Sequence, residues 1–175
     1  MDHLWSPWRG EHVARHADET RRGRHGDGPS VFARIAAEPE RDEENLVVFR
    51  GEALFVVMNR YPYTNGHLLL VPYREVGAYD ALTEAERVEL AHLTARAMGW
   101  IRKALAPDGF NVGINQGSAA GAGIPRHLHL HLVPRWDGDT NFMPVVGATK
   151  VIPEDLGTTY RKLVAARNAE GSAPV

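Results

Sequence analysis

The 175-residue chain contains no cysteine, which removes disulfides, thiolate metal sites and cysteine nucleophiles together. It also lacks a charge excess. With a formal net charge of -2 at pH 7, the molecule has no general attraction for nucleic acid or an anionic membrane, so any phosphate it binds must be met by local groups. No stretch approaches the roughly 20 consecutive apolar residues that span a bilayer. The opening Met1-Asp2-His3-Leu4-Trp5 shows no basic region followed by an apolar run, so a cytoplasmic protein is expected. What is present, 43% hydrophobic and 24% charged residues, is the composition of a globular enzyme or binding protein long enough to bury a core.

Along the chain a single domain is expected, with an N-terminal arm and linker (1–30), a core (31–145) and a C-terminal helix and tail (146–175). The arm carries Trp5 and Trp8, aromatic bulk expected to clasp the domain or a partner subunit. Residues 10–29 mix Arg15, Arg21, Arg22 and Arg24 with acids and glycines, show no apolar period, and read as a mobile, solvated linker. Val31 to Ala37 has helical spacing and ends before Pro39. Asn45 to Phe49 and Ala53 to Met58 read as strands joined by the Arg50-Gly51-Glu52 turn. Both alternating sets of the second strand are apolar, so it should be buried on both faces.

His67 to Pro72 is the next strand, after a turn-rich loop over 59–66. Thr83-Glu84-Ala85-Glu86 is a capping box that starts a long helix. Val88, Ala91, Ala95, Met98, Ile101 and Leu105 are taken as its apolar stripe, and Pro107 stops it. Gly109 to Gln116 reads as a strand entering the glycine-rich loop Gly117 to Gly123, and Pro153 to Arg167 as a last helix. The fold class is α+β: an antiparallel sheet of about five strands with the long helix packed on it.

The informative stretch is His127-Leu128-His129-Leu130-His131-Leu132-Val133. Side chains alternate on a strand, so the three imidazoles share one face and the leucines the other. Such a face has two chemical meanings: a polyhistidine metal site, or a histidine nucleophile flanked by helpers. A nucleophilic histidine attacks phosphorus through an unprotonated ring nitrogen, so the other nitrogen should be held by an acceptor. Neighbouring rings are close enough to resist sharing three protons, which leaves one histidine free to act as acid while another attacks.

The run also resembles, residue for residue, the His-φ-His-φ-His-φ-φ signature of the histidine triad (HIT) family of nucleotide hydrolases and transferases, over about residues 31–145. Its flanks look most like the bacterial branch associated with diadenosine tetraphosphate (Ap4A) phosphorylase and hydrolase activity. The resemblance implies that His129 takes up the α-phosphate as a covalent intermediate, that His131 binds phosphate oxygen and assists the leaving group, and that His127 supports the arrangement. It implies that Asn59 holds the ribose, that His67 belongs to the upstream histidine strand and Leu69 lines the base pocket. Asn115, Gly117, Ser118 and the backbone at Gly123 would then meet phosphate.

Adenosine phosphoramidase activity, or a nucleotide sensor with little turnover, are the alternatives. A small-molecule nucleotide is the expected partner, with no nucleic acid and no membrane, and the family implies a homodimer. Two departures stand out. Relatives that bind a structural zinc use positions occupied here by Ser30, Ala33 and Glu75 alongside His127, so no four-ligand zinc site is expected. No cofactor is required, a divalent cation accompanying the nucleotide being the one left open. Gly123 stands where relatives often carry Ser or Thr.

Overall fold

The computed structural model describes residues 28–140 and 152–170. The expected tryptophan clasp, the basic linker as far as residue 27 and the tail beyond 170 lie outside them. Five strands form one antiparallel sheet: β1 (Val47–Arg50), β2 (Leu54–Met58), β3 (Leu68–Pro72), β4 (Gly109–Ile114) and β5 (Leu130–Arg135), in the order β1-β2-β3-β5-β4. The helices are α1 (Val31–Ala37), the single turn α2 (Asp42–Asn45), α3 (Glu84–Leu105) and α4 (Leu156–Asn168). The α+β class, the five strands and the long helix agree with the sequence.

Every residue of β2 and β3 is buried, because the sheet is covered on both faces there. On one face Val48, Leu54, Val56, Leu68, Leu70 and Leu132 pack with Leu90, Leu93, Trp100 and Ile101 of α3 and Leu163 of α4. On the other, Phe32 of α1 packs with Val47, Phe55, Val57, Leu69 and Val71. Helix α1 is pinned at both ends. Ser30 caps its N-terminus by accepting from the Ala33 N–H at 3.0 Å, and Arg50 donates to the carbonyls of Ile35 and Ala36 at 2.8 and 3.1 Å. Among the described residues its apolar packing is with β1 to β3.

Three expectations are corrected. Asn45 belongs to α2, and Leu46 takes a left-handed conformation (φ 60°) that turns the chain into β1 two residues later than expected. The capping box forms as read, with Thr83 and Glu86 satisfying each other's backbone N–H groups, but the buried stripe of α3 is Glu86, Leu90, Leu93, Ala97, Trp100 and Ile101. Val88, Ala91 and Ala95 face outwards. Two stripes satisfy the helical period, and the one with leucines and tryptophan wins because it buries more apolar area. Lastly, β5 begins at Leu130, so His127 and His129 stand in an extended run just before the paired strand.

Candidate active site

The run ahead of β5 is held by backbone bonds from His127 N–H to Ile124 O (3.1 Å) and from Leu128 N–H to Val76 O (2.7 Å). Gly77 permits this crossing, since a Cβ there would lie 2.8 Å from the Pro125 carbonyl. The alternation read from the sequence survives outside the ladder. The His129 and His131 ring centroids are 5.0 Å apart, and Phe32 lies against His127 and His129 at 5.5 and 5.1 Å.

The hydrogen bonds fix where each ring carries its proton. A carbonyl only accepts, so His129 Nδ1 donates to His127 O at 2.9 Å, and Nε2 keeps its lone pair. His127 Nε2 donates to Pro72 O at 2.8 Å, so its Nδ1 accepts from the Ser30 hydroxyl at 2.6 Å. At His67, Nδ1 accepts from the Tyr63 N–H at 3.1 Å, which puts the proton on Nε2, and that nitrogen faces His131 Nδ1 at 3.0 Å. His131 is therefore protonated on Nε2, a buried atom with no hydrogen-bond partner among the described residues. The site presents an unprotonated nitrogen on His129 and an N–H on His131.

Burial lowers the pKa of His127 and His129. It brings His131 down to about 4, with a further contribution from the charge His129 would carry. All three rings are thus neutral at ordinary pH. His131 is then a hydrogen-bond donor rather than an ionised acid.

A cavity of about 460 Å³ takes in His131, Asn115 and Tyr63, together with residues of β4 and β5. Leu69 is paired with His131 across the β3–β5 ladder and lies in the apolar cluster under α1. Asn59 stands beside His67, its Nδ2 at 3.3 Å from His67 Nδ1, while its Oδ1 accepts from the Tyr61 N–H at 2.9 Å. Gly117 opens the glycine loop with a φ of 78°. Gly117, Ser118 and Gly123 are not among the lining of that cavity. Sequence reasoning did not single out Tyr63, whose ring lies nearly parallel to His131 (8°, 5.7 Å), nor Phe32. The available signal was an aromatic residue in a turn-rich loop just ahead of His67.

A family model described as the HIT domain matches residues 40–138. The chain belongs to the HIT family. A Mycobacterium tuberculosis protein named AP-4-A phosphorylase is 42% identical over 164 residues, covering 93% of this chain and 83% of that one. A Schizosaccharomyces pombe relative named bis(5'-nucleosyl)-tetraphosphatase [asymmetrical] is 31% identical over 93 residues, 53% of this chain and 50% of that one. Among solved structures, a zinc-bound histidine triad family protein from Mycobacterium smegmatis superimposes with a TM-score of 0.69 at 27% identity, covering 85% of this chain and 100% of that chain.

Ser30, Ala33, Glu75 and His127, the positions that the resemblance links to a structural zinc, converge here, but with groups that do not suit the metal. Both ring nitrogens of His127 are engaged, by Ser30 and Pro72. Glu75 accepts from the Ser30 N–H at 3.1 Å and pairs with Arg126 at 2.9 Å, and Ala33 offers only a backbone N–H. Tetrahedral zinc needs four lone-pair ligands. Among the described residues no group of three or more His, Cys, Asp or Glu side chains is placed to hold a metal ion. A proton-mediated knot ties α1 to the histidine run instead.

Proposed function

We propose that this protein is a nucleotide-binding nucleotidyl hydrolase or transferase that cleaves dinucleoside polyphosphates such as Ap4A through a covalent nucleotidyl-His129 intermediate. The observation that carries the reading is the His129 Nδ1–H bond to His127 O, which leaves Nε2 unprotonated beside the His131 Nε2–H. The names of the relatives agree with it. In the first step His129 Nε2 bonds to the α-phosphorus and the bond to the bridging oxygen breaks. The leaving nucleotide departs as a phosphate anion that accepts the His131 hydrogen bond. The His127 carbonyl faces the Nδ1–H of the now cationic ring, and stabilisation placed in advance is effective in a site that excludes water. In the second step an acceptor attacks, the P–N bond breaks and the ring returns to neutral. Phosphate as acceptor yields ADP with no proton to lose; water yields AMP and gives its proton to the medium.

In this reading Asn59 contacts the ribose, Leu69 the base and Asn115 a phosphate oxygen. Gly117, Ser118 and Gly123 would contribute backbone N–H groups from the loop between Asn115 and His127. Incubating the protein with Ap4A, with and without inorganic phosphate, tests the function. ATP plus ADP formed only with phosphate means phosphorolysis, and ATP plus AMP without it means hydrolysis; two ADP would place the attack at a different phosphorus and contradict the α-phosphate step. Absence of products would defeat the proposal, and tight binding without products would favour the sensor.

A pH profile tests the protonation scheme. Since the His129 and His131 pKa values are lowered, the latter to about 4, the acid limb of kcat/KM for Ap4A is expected to lie below the ordinary histidine value of ~6.5. An acid limb centred near ~6.5 would contradict it. Stability moves the same way. The contribution from these rings is complete above the unfolded pKa of ~6.5. It is lost as pH falls toward the folded values, because the unfolded chain takes up protons that the folded rings refuse.

A homodimer is part of the proposal. Among the described residues strand β4 ends the sheet, and Val112 on it is 45% exposed, a strand edge of the kind that pairs with a second copy. Sedimentation equilibrium is expected to show a dimer that Val112→Glu shifts toward monomer; a monomeric wild type would refute this.

No helix among the described residues is long and apolar enough to cross a membrane.

A further inference from the structure

Helix α4 contributes no residue to the cavity beside His131, yet it is bonded to the loop that does. Its buried residues are Thr159, Leu163 and Ala166, and Thr159, the polar one, is 0% exposed. A buried hydroxyl costs stability unless it is bonded, and threonine is a weaker helix former than leucine or alanine. A valine would fill the same space, so what threonine adds is the hydroxyl. Thr159 Oγ1 donates a shared bond to Asn65 Oδ1 at 2.8 Å and to Glu154 Oε2 at 2.7 Å. Asn65 Nδ2 closes the triangle on the same carboxylate oxygen at 3.5 Å, and Lys162 pairs with the other. The Lys162 and Thr159 bonds hold the Glu154 carboxyl below its ordinary range, so it remains an acceptor at neutral pH.

Asn65 belongs to the loop over 59–66, and its neighbours carry the histidine relay. Tyr63 and Thr64 line the cavity with His131. The Tyr63 N–H bonds His67 Nδ1 at 3.1 Å, which leaves the His67 proton on Nε2 facing His131 Nδ1 at 3.0 Å, and the Tyr63 ring lies against that of His131. These contacts hold only while the loop holds its place. Thr64 Oγ1 fastens it to β5 by donating to Pro134 O at 2.7 Å, and Arg60 donates to Glu44 O at an exposed site. Asn65 supplies the tie to α4. It stands two residues after Tyr63 and directly before Gly66, whose φ of 74° turns the chain toward β3.

We propose that Thr159 is a positioning residue for the reaction: with Glu154 it latches the Asn65 turn onto α4 and so holds the Tyr63 N–H on His67, and His67 on His131, in one arrangement. Thr159 touches no substrate and acts through Asn65. The inference deepens the function proposed above and rests on it for its kinetic readout alone.

The test compares the full-length wild type with Thr159→Val, Thr159→Ser and Tyr160→Phe. Tyr160→Phe removes the bond from α4 to Val47 O and leaves the latch intact, so it reports what a general loosening of α4 does. Thr159→Val should lower kcat for Ap4A by about tenfold, with KM within about threefold, as expected when catalytic groups are slightly misplaced and uniform binding is kept. Nitrogen-15 spectra should show that His67 and His131 no longer each hold one tautomer. Thr159→Ser should restore both readouts, and Tyr160→Phe should keep both. Wild-type kcat or an unchanged His131 tautomer in Thr159→Val, or equal losses in Tyr160→Phe, overturns the latch. Should Thr159→Val not fold, Asn65→Ala, which cuts the latch from the loop side, must show the losses or the proposal falls. A wild type that does not turn over Ap4A removes the enzymatic reading, and the tautomer comparison then decides the latch by itself.

Discussion

Replacing His129 by alanine is expected to abolish covalent labelling by α-phosphate-labelled nucleotide and to lower turnover of Ap4A by about four orders of magnitude or more, while nucleotide binding remains measurable. The size follows from the role. Among the three histidines of the run, only His129 combines an unprotonated Nε2 with an Nδ1–H held at 2.9 Å by a backbone carbonyl. The nitrogens of His127 are both tied down, and His131 carries its proton on Nε2. The substitution costs one hydrogen bond and some ring packing on Phe32, so loss of activity should far exceed loss of stability, which denaturant unfolding would show. His131→Ala should behave differently, leaving labelling slow but present, because it removes a donor and not the atom that forms the bond. Labelling that persists at wild-type level in His129→Ala would move the nucleophile to another residue.

Much of this was legible in the chain because local patterns coincide with global ones. The capping box at Thr83 formed as read because its bonds lie within four residues, and the apolar run of β2 announced a strand buried on both faces. The alternation from His127 to His131 placed the rings together even though the ladder begins only at Leu130. The stripe of α3 was misplaced by a rotation of the helix, since a 3.6-residue period admits two faces and only the partner sheet chooses between them.

What could not be read was anything set by contacts distant in sequence. Ser30 was recognised as a missing metal ligand, but its hydroxyl bond to His127, 97 residues away, needs the fold to show it. Protonation states are of the same kind. Whether His131 Nε2 holds a lone pair or a proton depends on His67, 64 residues away, whose own proton is set by the nearby Tyr63 N–H.

That relay is open to direct disruption. His67 is fully buried; it accepts from the Tyr63 N–H at Nδ1 and meets His131 Nδ1 with Nε2. His67→Phe keeps a flat ring of similar size and deletes the donor. His131 Nδ1 is then left without a partner in an apolar setting, which favours moving its proton onto that nitrogen's side or losing a fixed orientation. A lone pair at Nε2 would repel the phosphate oxygen it should bind. The expected result is a fall of about 10²- to 10³-fold in kcat for Ap4A, the scale of losing one preorganised donor, with a smaller change in KM. His67→Gln should recover part of the loss, because its amide can donate to His131 Nδ1. Nitrogen-15 spectra of the imidazoles supply a readout that mere loosening of the fold would not imitate: His131 protonated at Nε2 in the wild type and in His67→Gln, but not uniquely so in His67→Phe. A phenylalanine variant that retains wild-type kcat, or the same His131 tautomer, would show that the donor at His131 does not depend on His67.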